Sequence, residues 1–368
     1  MNYDTFLRDL PKVDLHCHLA GTMRPATMIE LAQNNDVQLP TTDPDLLYAF
    51  DDFYDFLRVV RLAAECVITR ADFARVAYEA LSGAATSGNL RYAELFFNPT
   101  DYQRQGVDYP TMIDGYIEGL RAAETDHGVH GRLIPSINRE LGPQVAEGMV
   151  REVIAHRRDE VIGIGMDGSE HHGPPEQFTQ AYRLARQAGL HCTAHACEDN
   201  QTLDQAPPSN VIDCVDKLGC SRIDHGYNLL ADARLVQRCQ REHIPFTVGS
   251  HTCVSSRQQT RWDNLHRMRQ ANLSIVICTD DPPMFGTDIG QSYASVCTQL
   301  NLTTDAAAQL ALDSIDATWL DDTDRHRLRS EFATTIAAMQ NQPAQSTERS
   351  DAVVDANRLS TGQPAGTQ

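Results

Sequence analysis

An α/β fold, a closed (β/α)8 TIM barrel, is predicted by three features of the chain. Short apolar, β-rich runs alternate with stretches of helical spacing from near the start to about residue 315. There are eight such runs, where an open doubly wound sheet more often has about five or six strands. Five of the runs carry ionisable side chains at their C-terminal ends, the face on which barrel enzymes place their chemistry.

In chain order, residues 12–18 form the first run. A long gap follows, and its helical segments at 26–35 and 54–64 predict extra helices, an insertion over about 25–70 that covers the barrel mouth. An amphipathic helix over 73–87 leads to the second run at 91–97, and one over 111–125, stopped by Gly128, leads to the third at 132–138. A helix over 144–156 precedes the fourth run at 161–167, and one over 176–188, stopped by Gly189, precedes the fifth at 191–195. The sixth run is 222–225; a helix over 232–243 separates it from the seventh at 245–249, and the eighth is 274–279. Residues 1–340 are expected to form a single barrel, and the polar stretch 341–368 a disordered tail with too little apolar surface to offset ordering entropy.

Charge narrows the function. The chain has 31 Lys and Arg against 50 Asp and Glu, a net charge of −19, which argues against nucleic acid and anionic membrane surfaces as partners. Neither a secretory start nor a spanning apolar run is present, so a cytoplasmic location is expected. The ten cysteines form no CxxC pair, and Cys66, Cys214, Cys239 and Cys297 read as small packing side chains.

The strand-end residues suggest a metal. His16 and His18 flank Cys17, and the two-residue period of a strand turns both imidazoles to one side. With His195 and Asp280 they make a mixed nitrogen and oxygen ligand set that suits Zn2+ better than Mg2+ or Ca2+. Zinc with an open position activates water near neutral pH. Glu198, three residues past His195, is placed to face a substrate, and a raised pKa would make it a proton donor. His225 reads either as a group acting on the activated water or as a core histidine bonded to a carbonyl. Asp281 reads either as a catalytic carboxylate, facing away from Asp280 by strand alternation, or as an Asp that starts the turn at Pro282 and Pro283. Gly163, Gly165 and Gly168 spell GxGxxG, but no helix opens on them, so close approach of backbone to a ligand replaces dinucleotide binding as the reading. His171 and His172 are left outside the metal site.

The motifs HCHLAGT at His16, HACE at His195, RIDHGY at Arg222 and TDDP at Thr279 together resemble the adenosine deaminase family of zinc barrels, over about residues 11–315. The resemblance implies one Zn2+ per chain held by His16, His18, His195 and Asp280. It implies Glu198 as the acid that protonates purine N1, His225 and Asp281 as the pair that positions the attacking hydroxide, and Gly168 as a backbone donor to N3. The implied reaction is hydrolytic deamination of a small 6-aminopurine, adenosine to inosine and ammonia in the first place. Adenine, an N6-substituted adenine or a derivative such as aminodeoxyfutalosine are the alternatives. Ala20 stands where the family commonly has an acidic residue that meets ribose, Cys197 replaces the glycine of HAGE, and 249–253 departs from the family's turn after the seventh strand. The stretch 164–170 looks closer to the adenine and aminodeoxyfutalosine branch, so Asp167 is expected to contact the base or a substituent. Two competing functions are another metal-dependent hydrolase of the wider amidohydrolase superfamily and a non-catalytic purine-binding barrel. The first is disfavoured because the fourth run lacks the lysine that binuclear members use.

Overall fold

The computed structural model describes residues 1–341. Its strands are β1 (Lys12–His18), β2 (Leu90–Phe97), β3 (His130–Asn138), β4 (Gly163–Asp167), β5 (His191–Cys192), β6 (His195–Ala196), β7 (Ile223–His225), β8 (Pro245–Gly249) and β9 (Ser274–Cys278). They form two parallel ladders in chain order, β1 to β5 and β6 to β9. The ladders meet at the expected fifth strand, which is two short segments rather than the continuous run 191–195. β5 pairs with β4 through Gly163 with His191 and Ile164 with Cys192, while β6 pairs with β7 through His195 with Asp224 and Ala196 with His225. Between them Thr193 N–H donates to Ile164 O at 3.1 Å, and Ala194 O accepts Asp224 N–H at 3.0 Å. The chain bonds first to one neighbour and then to the other, and this transfer breaks the strand. The ring closes where Cys17 bridges Asp280: Asp280 N–H donates to His16 O at 2.8 Å and His18 N–H to Asp280 O at 2.9 Å.

The helices that follow the strands pack outside the ring. Arg70–Gly88 starts on a capping box, with Asp72 N–H on Thr69 Oγ1 at 3.2 Å and Thr69 N–H on Asp72 Oδ2 at 2.8 Å, and ends at Asn89 in the left-handed region. It packs against Tyr109–His127, and Gly119 sets their approach: a Cβ there would lie 2.1 Å from Ala74 O. The insertion after β1 contains the helices Pro25–Asn34 and Phe53–Glu65, with turns and bends but no helix over 35–52. Phe56 of the second packs on Phe50 and Phe285, with ring centroids 5.3 and 5.2 Å apart, which fixes that helix to the loop after β9. Helices also lie outside the expected alternation, Tyr3–Asp9 before β1 and Asp322–Gln340 after residue 315. The expected tail, residues 342–368, lies outside the described residues. Among the described residues no helix is long and apolar enough to cross a membrane.

Inside the ring two polar groups occupy opposite ends. At the start of β7, Arg222 donates to Glu94 of β2 at 2.7 Å, both side chains being at most 1% exposed. Glu94 also accepts Tyr92 Oη–H at 3.0 Å and Trp319 N–H at 2.7 Å, and the Arg222 guanidinium lies 4.2 Å from the Trp319 ring. The C-terminal strand ends carry the second group.

Candidate active site

β1 turns His16 and His18 to the barrel interior, as the strand period requires, and β6 brings His195 to the same point. The three Nε2 atoms stand 3.1 Å (His16 to His195), 3.2 Å (His16 to His18) and 3.2 Å (His18 to His195) apart. Asp280 Oδ1 lies 3.3 Å from His16 Nε2 and 3.5 Å from His18 Nε2. A tetrahedron with metal–ligand bonds of about 2.0 to 2.1 Å has edges of about 3.3 Å. Imidazoles sharing hydrogens only in pairs have no reason to converge as a trio, whereas a divalent cation between them accounts for every spacing. His225 joins this group: its ring centroid is 4.8 Å from that of His16 and 4.7 Å from that of His195. Among the described residues, ligand atoms close enough together to share an ion group as His16, His195, His225 and Asp280, and as His18, Asp280 and Asp281.

The backbone is bent to make this arrangement. Cys197, His225 and Asp280 have φ of +59°, +73° and +66°, three non-glycine residues in the left-handed region, each at a strand end on the mouth. The bend at Asp280 undoes the expected alternation: β9 ends at Cys278, and Asp280 and Asp281 both line the same cavity. Gly21 is required by Asp281, because a Cβ on Gly21 would lie 1.7 Å from Asp281 Oδ1.

The cavity over the cluster is lined by Asp167, Gly168, Glu198, His225, Asp280 and Asp281 on the barrel side. Phe53, Phe56, Leu57 and Val60 of the inserted helix cover it. Asp167 holds its two oxygens 2.8 and 2.9 Å from Asn98 Nδ2, and its Oδ2 is 3.9 Å from His18 Nδ1. Glu198 Oε1 lies 3.9 Å from His225 Nε2 and accepts Asn200 Nδ2–H, whose own Oδ1 accepts Thr252 Oγ1–H.

Burial drives the electrostatics. It pushes His18 down to about 4 and lowers His195 and His225 well below the usual histidine range, so these rings are neutral and have a nitrogen lone pair to offer. His16 is raised, because Asp280 and Asp224 outweigh its burial. Burial alone would raise Asp280, but His16, His225 and His18 hold its carboxyl well below the usual range. Burial, with the charge of Asp280, pushes Glu198 up to about 8 and Asp281 well above its ordinary value. Asp167 rises to about 6 by burial. His195 Nδ1, His225 Nδ1 and Asp281 Oδ1 are buried without a hydrogen-bond partner among the described residues.

The sequence reading did not single out the carboxylate beneath the cluster. Asp224 of β7 is fully buried; its Oδ1 accepts Thr247 Oγ1–H at 2.8 Å and stands 3.8 Å from His16 Nδ1, and its Oδ2 accepts Thr193 Oγ1–H at 3.0 Å and stands 3.7 Å from His195 Nδ1. Thr247 Oγ1 also lies 3.0 Å from His16 Nδ1. Asp224 thus reaches His16 through the Thr247 hydroxyl, and toward His195 it offers charge without a direct hydrogen bond; carboxylates so placed behind imidazoles favour one ring orientation and tautomer. The signal was present as an aspartate inside a strand within RIDHGY, adjacent to the histidine that drew attention.

The adenosine deaminase family model matches residues 11–335. An adenine deaminase of Cupriavidus metallidurans is 33% identical over 334 residues, covering 88% of this chain and 91% of its own. Among solved structures, a zinc-bound amidohydrolase from Burkholderia ambifaria superposes with a TM-score of 0.85 at 34% identity, covering 92% of this chain and 93% of its own. The adenine deaminase of Arthrobacter aurescens superposes with a TM-score of 0.81 at 28% identity, covering 90% of this chain and 99% of its own. The motifs at four strand ends, the barrel that gathers them and a match running from β1 into the last helix agree: the chain belongs to the adenosine deaminase family.

Proposed function

We propose that this protein hydrolyses the exocyclic amine of adenine, giving hypoxanthine and ammonia, with one zinc ion held by His16, His18, His195 and Asp280. The observation that carries the reading is the close set of three imidazole nitrogens and one carboxylate oxygen beside a cavity that a buried, protonated Glu198 also lines. Bound there, zinc supplies a water whose pKa is brought toward neutrality. Adenine replaces the expected adenosine because the curated relative and one of the two solved neighbours compared carry that name, and because Ala20 leaves no carboxylate where the family meets ribose.

The chain's own residues divide the remaining work. Phe53, Phe56, Leu57 and Val60 offer apolar cover for a planar base and keep bulk water out. Gly168, at φ +84° and without a side chain, lets the backbone meet the N3 edge, and Asp167 beside it takes a donor on the base. In the reaction the water oxygen bonds to C6 while Glu198 gives its proton to N1, leaving C6 tetrahedral. The C6–N6 bond then breaks and a carbonyl forms at C6. Of the two protons of the water, one leaves on the nitrogen as ammonia and the other restores Glu198. His225, kept neutral by burial, and Asp281 steer these protons and hold the attacking oxygen in line.

The test is a panel of adenine, adenosine, deoxyadenosine and N6-methyladenine with the zinc-loaded protein, followed by ammonia release. Adenine is expected to give the highest kcat/KM. Faster turnover of adenosine would overturn the free-base assignment, and no ammonia from any of the four would overturn the deaminase reading.

A further inference from the structure

Glu170 takes no part in the scheme above, yet it is 1% exposed and sits against the chain that carries the acid. It lies on the loop after β4, three residues beyond Asp167. Its Oε2 accepts Cys197 N–H at 2.9 Å, and its Oε1 accepts Glu198 N–H at 3.0 Å. Asn210 Nδ2 donates to Oε2 at 2.7 Å and fixes the carboxylate from the far side. Burial raises the Glu170 carboxyl above its ordinary range, and Arg139, buried nearby with its Nη2 on His195 O at 2.7 Å, counters that together with Asn210 and the two amides.

Two successive amides reach a single carboxylate only if the chain turns between them, and Cys197 supplies that turn at φ +59°. The left-handed region disfavours a side chain, and here the Cys197 thiol bonds to Pro207 O at 3.0 Å. The two carbonyls of the same pair are also fixed: Cys197 O accepts Asn228 N–H at 2.8 Å, and Glu198 O accepts Asn228 Nδ2–H at 3.1 Å. All four backbone polar groups of residues 197 and 198 are therefore tied, the amides to Glu170 and the carbonyls to Asn228.

We propose that Glu170 is a positioning residue for Glu198, a carboxylate that grips the strained 197–198 backbone so that the acid's side chain is delivered to N1. The role rests on the deaminase reading above. It needs an acceptor-only group: a glutamine in its place turns an N–H donor toward one of two N–H donors, and one tether is lost.

The experiment uses the zinc-loaded full chain with adenine and compares wild type, Glu170→Gln, Glu198→Gln and the double variant. Glu170→Gln is expected to lower kcat by about 10- to 100-fold while KM and metal content stay close to wild type. In the Glu198→Gln background the same change is expected to cost nothing further, because the group it positions no longer acts. Losses that multiply in the double variant, or a Glu170→Gln protein with wild-type kcat per bound metal, overturn the positioning role. Where Glu170→Gln does not fold, Asn210→Ala removes only the outer tether: a kcat loss of about 2- to 10-fold that vanishes in the Glu198→Gln background supports the role, and an unchanged kcat overturns it. A wild type that releases no ammonia from any 6-aminopurine fails at the deaminase reading and takes the proposal with it. An active wild type with additive variants fails at the positioning role alone.

Discussion

The two ends of the barrel interior both bury charge, and they do so in opposite ways. At the Arg222 end one cation meets one anion at 2.7 Å, both Glu94 oxygens are bonded, and the guanidinium lies on an indole. At the mouth three histidines, His18, His195 and His225, and the carboxylates of Asp280, Asp281, Glu198 and Asp167 line one cavity, with His16 clustered against them. His195 Nδ1, His225 Nδ1 and Asp281 Oδ1 are buried unpaired among the described residues, while Cys197, His225 and Asp280 hold strained backbone. The first arrangement balances its charge within the protein, one cation against one anion, although Arg222 Nε and Nη2 find no hydrogen-bond partner among the described residues. The second leaves several carboxylates and imidazoles without a balancing partner, and in the proposed reading a divalent cation and a substrate complete it. One barrel therefore keeps its neutral ion pair for holding the strands and leaves its unbalanced charges for chemistry.

Each end predicts its own response to substitution. The largest effect is expected at the mouth: Glu198→Gln should lower kcat by about 10²- to 10⁴-fold while zinc content is unchanged, measured by steady-state kinetics beside elemental analysis. At the other end Arg222→Met strands Glu94 in the core and should cost about 3 to 5 kcal/mol of stability by denaturant titration. Its kcat per folded molecule should remain that of wild type; a loss of kcat without loss of stability would break the division between the two ends. Asp224→Asn lies between these cases. It should weaken zinc about 10- to 100-fold in competition with a chelator and move stability less than Arg222→Met does.

The smallest effect is one of pH. In the proposed reaction Glu198 acts in its protonated form, and burial with the Asp280 charge pushes its pKa up to about 8. Raising the pH through that value removes the proton, so kcat should be level below it and fall about tenfold per unit above it. The limb should vanish in Glu198→Gln, whose side chain has no proton to lose. A limb that persists belongs to another group.

The sequence disclosed most of the mouth and little of what supports it. His16 and His18 were legible because a strand repeats every two residues, and Glu198 and Asp280 because ionisable groups stand out at the ends of apolar runs. The joint facing of Asp280 and Asp281 was not legible, since it comes from a left-handed residue where the strand period predicts alternation. The break at Thr193 and Ala194 was hidden for a related reason: the apolar pattern continues while the pairing passes between neighbours. Asp224 and Glu170 are bonded to other residues of the fold, and an aspartate in a strand or a glutamate in a loop has no spacing that marks it until the fold brings a partner to it. The helix Asp322–Gln340 follows the last barrel strand, beyond the alternation that guided the reading.

The claim under all of this is that His16, His18, His195 and Asp280 share one zinc ion and that turnover depends on it. Metal per chain, measured by elemental analysis on wild type and on Asp280→Asn alongside adenine turnover, tests it directly. One zinc is expected in the wild type, little or none in the variant, and activity that disappears with the metal. Full zinc occupancy in Asp280→Asn, or a wild type stripped of metal that still releases ammonia from adenine, would contradict it.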